Sequence, residues 1–387
     1  MKFKDICVNK NATTKDIQAD RIDRYVGLEH LKPEELDISS WGLTSEGTTF
    51  TRVFSPGQVL FGKRRSYQKK AAVASFKGVC SGDILVFEAN TELLIPKLLP
   101  YIVQNDDFFN YAVGTSSGSL SPRTSWKHLS EYQLRIPKEK EIQEKILTQL
   151  LKLEDALNNK KRLIQSTRLY KEKLMQQVLT KGIGHTKFKK TDLGEIPVEW
   201  EVEAISNITN LIKDGSHNPP PRVEDGIPML SAENIFSGKI NFGINEKNIS
   251  VKDFEEMHKF YRIERGDVLM TIVGTLGRTA IVETDKLFTL QRSVAIFKTN
   301  DRVTPQYFNY ALNSSYVIKQ VNKRANVTAQ AGIYLKELAK LLIAVPPLQE
   351  QQKITKILSS IDEQIEGYEK EQTQLKEIKK AFLHQIF

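Results

Sequence analysis

The chain has 387 residues, 40% of them apolar and 27% charged, the composition of a globular protein too long for one ordinary core. No run of some 18 uncharged apolar residues occurs, the start Met1-Lys2-Phe3-Lys4-Asp5 lacks an apolar export signal, and Cys7 and Cys80 stand far apart with no CxxC; membrane insertion, secretion and a disulfide or zinc framework are disfavoured, and a reducing cytoplasm is expected. The net charge of +9 permits nucleic-acid binding, but no segment is a basic tail, so any such contact must come from clusters on folded surfaces.

Residues 1–137 read as a first globular region. Short β-rich runs such as Gln58-Val59-Leu60-Phe61 and Asp83-Ile84-Leu85-Val86-Phe87 are punctuated by Gly, Pro, Asn and Ser. Within it lies the sharpest charge cluster, Lys63-Arg64-Arg65-Ser66-Tyr67-Gln68-Lys69-Lys70. Residues 138–181 read as one long helix after Pro137, with apolar residues at alternating steps of four and three: Ile146, Leu150, Leu153, Leu157, Ile164, Leu174 and Val178. This is the 3.5-residue period of a coiled-coil seam, interrupted by Lys160, Thr167 and Lys171. The glycines of Lys181-Gly182-Ile183-Gly184 stop the helix, and residues 182–192 read as a linker. A second globular region, 193–346, carries the β-rich runs Asp267-Val268-Leu269-Met270 and Val294-Ala295-Ile296-Phe297. A second long helix, 347–387, follows Pro346-Pro347. Its seam is Ile354, Leu358, Ile361, Ile365, Tyr368, Leu375, Phe382 and Ile386, interrupted by Gln372 and Lys379.

The two halves repeat. A shift of about 208 lays the first helix on the second, and one near 209 lays Gly57, Val59, Leu60, Ala71 and Val73 on Gly266, Val268, Leu269, Ala280 and Val282. Nearer the start, Leu28-Glu29-His30-Leu31 meets Ala232-Glu233-Asn234-Ile235 only at a shift of 204, a weak match alone. The expected class is α+β or α/β and multidomain: two globular copies alternating with two long helices that pair as an antiparallel coiled coil, with a pseudo-two-fold relation. Helices of some 40 residues span about 60 Å, against about 34–36 Å for one turn of DNA.

In this order, Leu193-Gly194-Glu195-Ile196-Pro197 with Trp200, Asp214-Gly215-Ser216-His217, Gly226-Ile227-Pro228, Gly266-Asp267-Val268-Leu269, Gly274-Thr275-Leu276-Gly277-Arg278 and Val345-Pro346-Pro347-Leu348-Gln349-Glu350-Gln351 resemble the specificity (S) subunit of type I restriction–modification systems. The resemblance covers nearly all of the chain. The first copy matches through Ser81-Gly82-Asp83-Ile84-Leu85 and Ile136-Pro137, but lacks the tryptophan entry and the Asp-Gly-Ser-His turn. The resemblance implies that the copies are target recognition domains, each reading half of a split double-stranded DNA site. It implies that the helices space the readers and dock two methyltransferase subunits, which supply S-adenosylmethionine, and that restriction subunits using ATP and Mg2+ join them. No cofactor or metal is expected on this chain, and no membrane partner.

Side chains suited to DNA are Lys63, Arg64, Arg65, Tyr67, Lys69 and Lys70, since cations neutralise phosphates and Arg can bond guanine bidentately. The plain alternative is a solvated hairpin tip. The counterpart segment 272–279 keeps only Arg278, as expected where two copies read different sequences. Arg123, His217, Arg222, Arg324 and Gln330 are second-rank candidates in polar loops, and Ser119, Ser121 and Thr328 flank the same segments. Catalysis finds little support. Asn218-Pro219-Pro220-Pro221 has proline where amino-methyltransferases carry an aromatic ring, and no glycine-rich cofactor turn, Walker motif or HExxH occurs. Two other readings stay open: an assembly scaffold that binds no DNA, and a self-sufficient methyltransferase.

Overall fold

Four β-strands run antiparallel at the centre of each globular copy, in the same spatial order. In the first copy the order is Cys7–Lys10, Ile84–Ala89, Val59–Gly62, Ala71–Val73; in the second it is Thr209–Asp214, Val294–Thr299, Val268–Thr271, Thr279–Ile281. The computed structural model describes residues 1–325 and 331–387. The strands Val59–Gly62 and Val268–Thr271 are buried at every position, so they read as unbroken apolar runs. Alternate side chains serve two cores. Val59 and Phe61 pack with Leu99, Ile102, Phe108 and Phe109 of the helical layer, whereas Leu60 packs with Val26, Leu31 and Phe54 on the opposite face. Val268 and Met270 against Tyr307 and Phe308, and Leu269 against Leu230 and Ile235, repeat that division.

The strand ladder corrects two pairs of the sequence alignment. Leu60 faces Ala72 and Leu269 faces Ala280, and Val59 faces Val73 and Val268 faces Ile281, so Ala72 rather than Ala71 is the counterpart of Ala280, and Ile281 rather than Val282 that of Val73. The weak match at a shift of 204 has a structural basis. Val26 pairs parallel with Cys80, as Leu230 does with Leu290. The Gly27 N–H donates to His30 Nδ1 and the Ser231 N–H to Asn234 Oδ1, both at 2.9 Å.

The long helices are Lys140–Val178 and Leu348–Ile386, each 39 residues and so about 58 Å long. They begin and end slightly inside the expected bounds. Gly182 and Gly184, at φ of 65° and 75°, adopt the left-handed backbone that follows the first. The chain forms two compact units, Met1–Leu163 with Tyr368–Phe387, and Ile164–Gly367. Each holds one globular copy, the first part of the helix that follows it and the last part of the other helix. All fifteen expected seam residues are buried or half-buried. In the first unit Glu154 pairs with Lys379, and Lys160 with Glu371 at 2.5 Å. Moving up one helix from 154 to 160 moves down the other from 379 to 371, so the segments run antiparallel.

The cationic interruptions of the seam are therefore ion-paired. Lys379 pairs with Glu154 and lies over the Tyr101 ring; Lys171 pairs with Asp362 at 2.5 Å and lies over Tyr310, whose hydroxyl donates to Asp362 at 2.7 Å. The two triads stand at equivalent places in the two units.

Each long helix is also tied to its own globular copy by a fully buried glutamine. Gln143 Oε1 accepts from the Ile95 N–H at 2.8 Å, and its Nε2 donates to the Leu93 and Pro137 carbonyls at 2.8 and 2.9 Å. Gln351 makes the same three bonds to the Thr304 N–H and the Arg302 and Pro346 carbonyls.

The segment 182–192, read from sequence as a linker, belongs to the second unit. Phe188–Thr191 pairs with Gly194–Pro197 as a hairpin. Glu350 accepts from the Ile183 N–H at 3.0 Å and from Trp200 Nε1 at 2.9 Å, and lies 2.8 Å from His185 Nε2.

Truncating one partner of a largely buried ion pair strands the other charge. Lys379→Met is expected to cost roughly 2–4 kcal/mol in urea denaturation, and Lys379→Met with Glu154→Leu to recover most of that loss.

Candidate nucleic-acid interface

A turn leaves the Val59–Gly62 strand and is laced to two neighbouring loops by backbone bonds. The Lys63 N–H donates to the Asp83 carbonyl at 2.9 Å, the Lys63 carbonyl accepts from the Thr124 N–H at 3.0 Å, and the Arg65 N–H donates to the Pro122 carbonyl at 2.7 Å. Arg64 and Arg123 face each other as an antiparallel bridge. In the second unit the Ile272 N–H donates to the Ser293 carbonyl at 2.8 Å, the Ile272 carbonyl accepts from Ile333 at 3.0 Å, and the Gly274 N–H donates to the Ala331 carbonyl at 2.9 Å. The matching bridge joins Val273 and Gly332. One lattice of main-chain bonds thus presents Arg64 and Arg123 in one copy and Val273 and Gly332 in the other.

The cluster 63–70 divides by role. Lys69 pairs with Asp106 at 2.5 Å, and Lys70 Nζ donates to the Leu28 carbonyl at 2.7 Å, so both tie the turn to its own unit. Burial first, then the Arg52 charge, lowers the Lys63 ammonium below the usual lysine range. Arg65 and Tyr67 are exposed. Arg65 and Lys69 flank the single turn Ser66–Gln68 at φ of 55° and 50°. Left-handed backbone at two non-glycine residues costs of order 1 kcal/mol each and persists only where neighbours impose it.

Asp83 organises the rest. Arg123 Nε donates to its Oδ1 at 2.8 Å and Nη2 to its Oδ2 at 3.3 Å, while Arg64 Nη1 lies 3.5 Å from Oδ2. Hydrogen bonding from Arg123, aided by the charges of Arg64 and Lys63, holds the Asp83 carboxyl below the usual carboxylate range. Ser121 Oγ accepts from Arg64 and Arg65 at 3.0 and 3.3 Å. The 117–123 hairpin closes through reciprocal Ser117–Arg123 bonds and leaves Leu120 at its tip 91% exposed. Sequence reasoning placed Asp83 in a motif but named neither it nor Leu120 as a site residue. An acid in a strand-entry turn carries no signal until its distance from residue 123 is known.

In the second unit the Asp214–His217 turn lies against residues 290–292. The Ser216 N–H donates to the Leu290 carbonyl at 2.9 Å, and the Arg292 N–H to the Ser216 carbonyl at 3.0 Å. A Cβ on Gly215 would stand 2.1 Å from the Leu290 carbonyl oxygen, so only glycine allows this approach. His217 Nε2 lies 2.7 Å from Asp214 Oδ2. Arg292, another exposed cation missed from sequence, joins His217 there. Arg222 and Arg278 are exposed, with no carboxylate partner among the described residues. Arg324 is instead tied to its own domain, 3.8 Å from Glu337 and donating to the Gln320 carbonyl. Gln330 and Thr328 lie outside the described residues. Among the described residues no cluster of three or more His, Cys, Asp or Glu could hold a metal ion, and no helix is long and apolar enough to cross a membrane.

Residues 197–377 match the type I restriction modification DNA specificity domain. The chain is 25% identical over 320 residues to the type I restriction enzyme MjaVIII specificity subunit of Methanocaldococcus jannaschii, covering 80% of this chain and 73% of that protein. It is 32% identical over 210 residues to a protein of the same organism provisionally named the type I restriction enzyme MjaX specificity subunit, covering 52% of this chain and only 48% of the relative. Its fold is shared, at a TM-score of 0.63 and 19% identity, with a chain from a structure described as the basis of complex assembly and conformational transition of the type I R-M system, covering 100% of this chain and 96% of that one. The chain is thus similar to type I restriction enzyme specificity subunits, in one case over 80% of its length.

His258 braces the Leu290 region from beneath. It is buried between Phe254 and Tyr261, with Nε2 2.9 Å from the hydroxyl oxygen of Thr289 and Nδ1 3.2 Å from the Tyr261 carbonyl. Burial lowers its pKa below the ordinary 6.5. The unfolded chain therefore takes up a proton that the folded one resists. Stability is full above about pH 6.5 and falls as pH drops toward the folded value. Denaturant titrations between pH 7 and 5 should show this decline, and His258→Gln should flatten it.

Proposed function

We propose that this chain is the non-catalytic DNA-reading subunit of a type I restriction–modification complex. Each globular copy reads one half of an asymmetric, bipartite double-stranded site. The observation carrying this reading is the shared main-chain lattice at the rim of both copies, which holds the framework constant while the side chains at 64 and 123 differ from those at 273 and 332. Phosphate contacts from cations such as Arg65, Arg278 and Arg292 set the register, and side chains in the grooves specify bases. The antiparallel helices act as a spacer and dock two methyltransferase subunits, which bring S-adenosylmethionine and methylate a flipped adenine. Restriction subunits add ATP- and Mg2+-dependent translocation and cleavage. Such a complex works on chromosomal and incoming DNA in the cytoplasm.

The scaffold reading leaves the divergent cationic rim without a role. A self-sufficient methyltransferase would need a cofactor-binding turn that the sequence does not carry.

Methylome sequencing of the host with and without this gene is expected to reveal one split motif that disappears on deletion, and purified chain alone should transfer no methyl groups. Turnover by the isolated chain, or an unchanged methylome, overturns the assignment. Removing matched seven-residue blocks from both helices shortens the spacer by ~10 Å, about three base pairs. The gap between half-sites should contract accordingly.

A further inference from the structure

We infer that Arg123 reads a guanine in the half-site contacted by the first copy, and that Asp83 is the positioning residue that aims it. This rests on the DNA-reading function proposed above and adds the base and the atoms.

A guanidinium has five N–H donors in a fixed plane. Arg123 gives its Nε–Nη2 edge to the Asp83 carboxylate, at 2.8 and 3.3 Å. The Nη1–Nη2 edge keeps three N–H donors. Two parallel N–H groups on that edge match the O6 and N7 acceptors that guanine alone presents side by side in the major groove. A flexible arginine would lose rotamer freedom on binding. Here that freedom is restricted beforehand by the carboxylate and by the reciprocal backbone bonds between Ser117 and Arg123.

The surroundings fit this role. The Arg123 side chain is 48% exposed. Asp83 is only 20% exposed and lies beneath the rim, where it also approaches Arg64. Arg64 is less available, because Nη2 donates to Ser121 and Nη1 faces Asp83. Hydrogen bonding from Arg123 holds the Asp83 carboxyl below the usual carboxylate range, so the brace is ionic at neutral pH. Glycine occupies the equivalent position 332 in the second copy, which cannot make this contact. The assignment is therefore specific to one half of the motif.

The test uses the full chain assembled with its methyltransferase partner and duplexes carrying the host motif. Each guanine is replaced in turn by 7-deazaguanine, which lacks the N7 acceptor. One replacement is expected to weaken wild-type binding roughly tenfold or more. Arg123→Ala should bind the native and substituted duplexes alike, and Arg123→Lys and Asp83→Asn, which lose the planar fork or its brace, should discriminate less than wild type. Arg65→Ala should weaken all duplexes equally and reduce the salt dependence by about one ion. Arg123→Lys preserves the charge, and melting curves of each variant separate misfolding from lost discrimination. A sequence-selective complex whose folded Arg123→Lys form keeps full guanine discrimination overturns this inference alone, as does a motif in which no guanine responds. Full discrimination by folded Asp83→Asn overturns the positioning role. A wild-type complex with no sequence preference removes the underlying function, and this inference with it.

Discussion

The fold depends on two buried amides. Gln143 and Gln351 sit in the opening turns of the long helices, and each satisfies one N–H and two carbonyls of the globular copy beside it. An amide is the one side chain that both donates twice and accepts at a single site without charge. A carboxylate there would repel two carbonyls, and an apolar residue would leave three buried groups unpaired. The orientation of each globular copy on the helix that follows it is set by this contact. The apolar cores then fill in around it, with Leu147 and Leu150 in one unit and Ile354 and Leu358 in the other.

Around this anchor the helices are held by a seam that mixes apolar and ionic contacts. Leucine and isoleucine alone would tolerate sliding by a heptad, since one apolar layer resembles the next. Lys171 against Asp362 and Lys379 against Glu154 each have one correct partner, and a tyrosine from the adjoining globular copy closes over each lysine. Burial, with the neighbouring acids, raises the Tyr101 and Tyr310 hydroxyls above the ordinary tyrosine range, so both remain protonated. Register is specified at the cost of some apolar area, a familiar use of polar residues in coiled coils.

What could be seen in the sequence follows from periodicity. Positions such as Ile146, Leu150, Ile354 and Leu358 reveal themselves because burial recurs every 3.5 residues. The repeat was legible even through the weak match at His30 and Asn234, which make the same bond with different side chains. Features fixed by distant partners were not legible. Lys171 and Lys379 looked like gaps in a seam because their acids lie on the other helix. Residues 182–192 looked like a linker because the strand at Phe188–Thr191 is polar and the segment is fastened by Glu350, far along the chain. At the rim, the run 63–70 was visible as charge, but its division into structural Lys69 and Lys70 and exposed Arg65 and Tyr67 required coordinates. Asp83 stood in a recognised motif, but its contact with Arg123 was hidden.

The rim lattice is made of main-chain atoms, and main-chain atoms are indifferent to the side chains they carry. Positions 64, 123, 273 and 332 can therefore be rewritten without redirecting the polypeptide. If these positions read DNA as proposed, one or two codon changes there would alter the preference while the buried cores stay as they are. Change of preference and preservation of the fold would then be separable, because different atoms carry them.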